Sequence, residues 1–225
     1  MKLFDTFTFD YEECRNQLEE FRTLMNNKSS LSEKSDVLPL FQKSRQLAWF
    51  FSSFNTRIRT VDRFAREFDV FGDFSADLAI GDSAAGEYCF IEFEDARTNS
   101  VFDRKGTKAT RDWGARFDHG YSQIVDWIHK INSAACSTDN LKRFARYEID
   151  YETVLVIGRN SHLDPSEVQR LKWRSNFVSV GGKKVHCITF DDLLSQFDAE
   201  MVTLSTVEAY GKMKAMPASP ATSGI

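Results

Sequence analysis

The stretch "EYCFIEFEDA", residues 87–96, decides how the rest of the chain is read. Its period-two alternation is that of a β-strand, with Cys89, Ile91 and Phe93 on one side and Phe90, Glu92 and Glu94 on the other. The two carboxylates project from the same side, about 7 Å apart at a rise of about 3.3 Å per residue. They interrupt a run that is otherwise fit for burial.

Immediately upstream, "FGDFSADLAIGD", residues 71–82, reads as a strand over 73–80 beside the turn dipeptides Gly72-Asp73 and Gly81-Asp82. Simple alternation gives Phe74, Ala76, Leu78 and Ile80 a core face and leaves Asp73, Ser75 and Asp77 on a polar one. A hairpin between the two strands brings Asp77 opposite Glu92. Acids alternating on a strand ordinarily mark its solvated side. Three carboxylates on one patch also repel one another unless a cation neutralises them, and such hard oxygen donors suit Mg²⁺ or Mn²⁺. Asp77, Glu92 and Glu94 are therefore the candidate metal ligands.

At 225 residues, 42% of them hydrophobic and twenty of them Phe, the chain can bury the core of one ordinary domain. It has no uninterrupted apolar run of membrane-spanning length and no basic segment followed by an apolar one at its start. Cys14, Cys89, Cys136 and Cys187 are far apart and lack zinc-ligand spacing. These features predict a soluble cytoplasmic protein with reduced thiols and no membrane partner. The net charge of -4 argues against a surface that binds nucleic acid everywhere, while leaving room for a local basic channel.

The remaining periodicities predict an α/β fold, a central mixed sheet flanked by helices. Tyr11, Cys14, Leu18, Phe21 and Met25 form one helical stripe, and "LPLFQKSRQLAWFFSSF" restarts helical periodicity at Pro39, so two helices precede the first strand, near 63–71. Phe117, Tyr121, Ile124, Ile128 and Ile131 predict a helix lying on the sheet, with His119, Gln123, Asp126 and Lys130 on its other face. "YETVLVIG" reads as an inner strand, "LDPSEV" as a capped helix start reaching about Asn176, and "KKVHCITF" and "DDLLSQFDAEMVTL" as a last strand and helix. The domain plan is an N-terminal helical segment over 1–60, a core over 61–205 and a flexible tail over 206–225.

Between Ala96 and Arg116 the chain has no sustained period and carries six basic residues against two acids. A loop of this kind is ordinarily solvated, but its place just after the acidic strand suits phosphate contacts by Arg97, Arg104, Lys105, Lys108, Arg111 and Arg116. His119 follows as a phosphate contact or general base. Trp113 and Trp127 read as packing residues, and His186 as a structural residue within a strand.

The order of these elements is similar to the PD-(D/E)XK nuclease core. The phrases "FGDFSADLAIGD", "CFIEFEDA", "RFDHGYSQIVDW", "LVIGR" and "LDPSEVQRLKWR" resemble the carboxy-terminal nuclease domain of Shedu-type anti-phage defence proteins over roughly residues 10–197. The resemblance implies a metal-dependent DNA endonuclease that self-assembles, with Asp77 and Glu92 as metal ligands and Gln123 as the helix residue approaching them. Glu94 departs from the superfamily pattern, which commonly has Lys there. Three readings follow: a third carboxylate ligand, another cation such as Lys105 or Lys108 in the lysine's role, or a catalytically silent module that binds nucleic acid or a protein.

Overall fold

Local pattern and packing together build the elements of the computed structural model, which describes residues 3–104 and 106–215. A two-residue strand, β1 (Asp5–Thr6), precedes helix α1 (Tyr11–Asn27), whose N-cap Asp10 accepts a hydrogen bond from the Glu13 amide at 2.9 Å. The α1 stripe Cys14, Leu18, Phe21 and Met25 is buried as its spacing requires. A π-helical turn (Glu33–Val37) leads into α2 (Leu38–Lys43), and a 3₁₀ helix follows over Arg45–Phe54. The single helix predicted after Pro39 is thus broken at Ser44, where φ and ψ are -97° and 65°. Three residues per turn then align Leu47 with Phe50 and Ala48 with Phe51, and all four are buried.

Strands β2 (Arg63–Val70), β3 (Phe74–Asp82) and β4 (Glu87–Phe93) follow as an antiparallel meander. The basic segment contains a small ribbon of β5 (Phe102–Asp103) and β6 (Asp112–Trp113), too short to show a period. Helix α3 (Ala115–Ser133) comes next, followed by a short α4 (Thr138–Phe144). The chain continues through β7 (Asp150–Val156), α5 (Pro165–Phe177), β8 (Ser179–Val180), β9 (Lys183–Ile188) and α6 (Phe190–Ala215). The predicted capping box is present at α5: Asp164 accepts from the Glu167 amide, and Glu167 accepts from the Asp164 amide. Helix α6 passes the core boundary placed at 205, while residues 216–225 of the expected tail lie outside the described residues.

The sheet order is β1-β2-β3-β4-β7-β9-β8, with β4-β7 and β7-β9 parallel and the other pairs antiparallel. One apolar cluster joins α1, α2, the 3₁₀ helix and α6 to Cys89, Ile91 and Phe93; the other joins α3, α4 and α5 to Phe90, Tyr151 and Leu155. The result is a mixed sheet between two helical layers. Because β4 and β7 lie inside it, their near-continuous apolar composition is explained by cover on both faces. Among the described residues no helix is long and apolar enough to cross a membrane.

The simple alternation read for β3 requires correction. Ala76 packs in the α3-side cluster, with Phe74 against it, whereas Leu78 and Ile80 belong to the opposite cluster, so the strand changes phase at Asp77. Both faces are covered: Ala79 is as buried as Ile80. The cause lies on the neighbouring strand. Glu67 has φ of 49°, in the left-handed region, and the β2-β3 ladder pairs Arg66 with Leu78 and Phe68 with Ala76 but omits the pair between them. A left-handed residue reverses the side-chain sense of a strand, and the ladder opens where Asp77 stands.

Candidate functional site

The β3-β4 register ends at Leu78 opposite Ile91, which sets Asp77 opposite Glu92 just past the last paired position. Asp77 Oδ2 accepts a hydrogen bond from the Phe93 amide at 2.9 Å, fixing it at the carboxyl end of β4. Glu92 projects toward α3, where Gln123 Nε2 donates to its Oε1 at 2.8 Å. Its other oxygen, Oε2, is buried with no hydrogen-bond partner. Asp77 and Glu92 face each other closely enough for one carboxyl, when protonated, to donate to the other.

Glu94 has a different setting. It is only 1% exposed, and its oxygens meet His119 Nδ1 at 2.6 Å and Arg116 Nη1 at 3.3 Å. Arg116 also reaches Glu33 at 3.2 Å and Asp95 at 3.5 Å, and the Glu33 amide donates to Asp95 at 2.8 Å. His119 remains 60% exposed, so the ring that meets Glu94 is also open to the surface. Glu33, on the π turn, is the residue that sequence reading missed: it lies in a polar stretch before the helix, with no periodic signal, and only folding brings it beside the strand acids.

Gly120 makes the approach of α3 possible. A Cβ there would stand 2.7 Å from Leu155 Cδ1 and 2.9 Å from Glu94 Cγ. Gly120→Ala gains about 1 kcal/mol of helix propensity but overpacks a buried contact at a cost of about 1–3 kcal/mol. We expect a net fall in thermal stability; a higher melting temperature for the alanine variant would contradict this packing.

Burial dominates the electrostatics. It pushes Asp77 up to about 7, helped by the nearby charges of Glu33 and Glu94 and resisted by the Phe93 amide. Burial and then Asp77 hold Glu92 well above the usual carboxylate range. Glu94 is also raised by burial, against the hydrogen bond from His119. Among the described residues no group of three or more His, Cys, Asp and Glu side chains is arranged to hold a metal ion. Asp77 and Glu92 still offer a pair of hard oxygen donors, and Mg²⁺ is commonly bound by one or two carboxylates with water and phosphate completing its shell.

The basic segment does not form a uniform phosphate grip. Arg111 is turned inward, with Nε 2.6 Å from Glu167 Oε1 and a second contact to Oε2, and it also donates to the His162 carbonyl at 2.9 Å. Arg97 lies 3.5 Å from Asp95, Lys108 lies 3.6 Å from Asp112, and Arg104 is exposed. Lys105 lies outside the described residues. Trp127 is fully buried and Trp113 stacks on Phe117 at 4.3 Å, so both act in packing. A surface cleft of about 820 Å³ opens at the other end of β4, where Arg57 is paired with Glu87 and Asp82 caps backbone amides. It is remote from the acids.

The family model for the C-terminal region of Shedu protein SduA matches residues 29–194. The chain belongs to this family. The Shedu match begins before Glu33 and ends within the first turns of α6, so it takes in Asp77, Glu92, Glu94 and the helices on both faces of the sheet. Membership supports a role in anti-phage defence. Comparison with curated proteins found no match.

Proposed function

We propose that this Shedu domain is a metal-dependent DNA endonuclease that hydrolyses phosphodiester bonds, with Mg²⁺ or Mn²⁺ held by Asp77 and Glu92. The observation carrying this reading is the buried, unpartnered Glu92 Oε2 opposite Asp77, both acids displaced toward protonation. A bound divalent cation relieves that repulsion, and it supplies Lewis-acid polarisation of a phosphoryl oxygen and acidification of water. Gln123 holds Glu92 by one oxygen, leaving the other for the cation, and the Phe93 amide does the same for Asp77. Glu94 acts as an anchor: it fixes His119 and Arg116, which bring positive charge and hydrogen-bond donors to the place where the superfamily pattern has lysine. Arg104 and the outward face of His119 then meet backbone phosphates.

Cleavage of linear and circular DNA with Mg²⁺ or Mn²⁺ tests the proposal, with Asp77→Ala expected to fall to background. The engagement of Glu94 in ion pairs favours a second reading, a silent nuclease-fold module that binds nucleic acid or a protein. Glu94→Lys separates the two. In the hydrolytic reading it sets a lysine against Arg116 and His119 and lowers cleavage. A gain of metal-dependent nicking by that variant, absent from the wild type under matched conditions, would establish the silent reading instead.

A further inference from the structure

Helix α5 has two unlike faces. Inward, Leu171 and Glu167 are buried, while Arg170 lies over the Phe102 ring at 4.4 Å and Arg174 over the Tyr121 ring at 4.1 Å. Outward, it exposes Gln169, Lys172, Trp173, Asn176 and Phe177. Trp173 and Phe177 are 60% and 73% exposed, one helical turn apart, with ring centroids separated by 5.9 Å. The other tryptophans, Trp49, Trp113 and Trp127, are partly or fully buried.

Charge gives this face a direction. The outward face of α5 carries Lys172 and no carboxylate, since Arg170 and Arg174 turn inward and the helix's one acid, Glu167, is buried on Arg111. Lys172 forms no ion pair among the described residues. The N-cap Asp164 is about 14 Å from Trp173 along the axis at 1.5 Å per residue. In a chain of net charge -4, α5 itself places no acid on the face that carries its aromatic pair. It also lacks the aliphatic residues that would make a dry protein interface, presenting amides and a lysine around two rings.

We propose that this face of α5 binds single-stranded DNA, with bases stacked on Trp173 and Phe177 and phosphates beside Lys172. Every base has a π-face, so aromatic platforms beside a cation bind single strands with little sequence preference. Arg174 lies over Trp113, Phe117 and Tyr121, so α5 runs beside the first turns of the helix that carries His119 and Gln123. A strand held on α5 therefore shares a layer with the candidate site. The inference goes beyond the hydrolytic reading and needs no metal, so its failure and that of the metal pair are separable.

The test is anisotropy of a labelled oligothymidylate titrated with the protein in EDTA. Trp173→Ala and Phe177→Ala are each expected to weaken binding about tenfold and together about a hundredfold. The salt dependence should stay unchanged in both, because neither substitution removes a cation, whereas Lys172→Ala should reduce the salt slope by about 0.7. Trp173→Phe should keep most of the affinity, and unchanged circular dichroism would show that the exposed positions are dispensable for folding. Equal affinity of wild type and double variant overturns the proposal, as does an absence of binding by the wild type. A double variant that retains DNA affinity but sediments as a smaller species overturns it too, assigning the face to a second copy of the chain.

Discussion

Asp77→Asn is expected to raise the melting temperature at pH 8 in EDTA, and to do so much less at pH 5. The sign follows from linkage. Burial lifts the folded-state value of Asp77 to about 7, above its ordinary 3.8, so the native state binds the proton more tightly than the unfolded chain. Its contribution is fully favourable below the unfolded value and is lost as pH rises through the folded one, at about 1.4 kcal/mol for each pH unit that separates the two values. Asparagine stays neutral, and its carbonyl oxygen can still accept from the Phe93 amide. The stability gap between variant and wild type should therefore open between pH 5 and pH 8 to a few kcal/mol. A gap independent of pH would show that burial of the charge is not what strains this position.

The same variant tests the cation. A ligand that binds only the native state at a hundred times its dissociation constant stabilises by about 2.7 kcal/mol. Mg²⁺ or Mn²⁺ should raise the wild-type melting temperature at pH 8, and Asp77→Asn with Glu92→Gln should abolish that response while leaving the protein folded. A metal-induced rise in melting temperature that survives in the double variant would move the cation elsewhere.

The second large effect is expected at Arg111. Its guanidinium is held by both oxygens of Glu167, which is 4% exposed, and by the carbonyl of His162. Removing one partner of a buried, hydrogen-bonded ion pair leaves an uncompensated charge and costs about 3–5 kcal/mol. Arg111→Ala should therefore lower the urea midpoint sharply, and adding Glu167→Gln should recover part of the loss because the stranded charge is gone. The salt dependence of DNA binding should stay as in the wild type, since this arginine offers phosphate nothing. A stable Arg111→Ala protein with a flattened salt slope would restore the role that the basic segment implies on sequence grounds.

Arg111 and Glu94 show where a sequence stops being readable. Charge composition locates a basic segment and an acidic strand, but the partner that neutralises each side chain is remote in the chain: Glu167 is 56 residues from Arg111, and Arg116 is 22 from Glu94. Composition cannot tell a cation offered to phosphate from one already held by a carboxylate. Trp173 is the converse case: the sequence assigns it no role, and only the burial of the opposite face of α5 leaves it exposed beside Phe177.

By itself the sequence determined the α/β class, the strands near 63–71 and 73–80 and the strand that begins at Glu87 to within about two residues, and the capping box of α5; its helical period set His119 and Gln123 on the face away from the sheet, whereas the structure turns them to Glu94 and Glu92. Periods of 2 and 3.6 and local caps are properties of neighbouring residues, so they survive without tertiary context. Only the tertiary structure decided the change of phase at Asp77, the arrival of Glu33, and the partition of the acids into a facing Asp77–Glu92 pair and a Glu94 bound to His119 and Arg116. Those outcomes depend on a left-handed residue in the adjacent strand and on how closely Gly120 lets α3 descend, and neither is set by the residues that form the site.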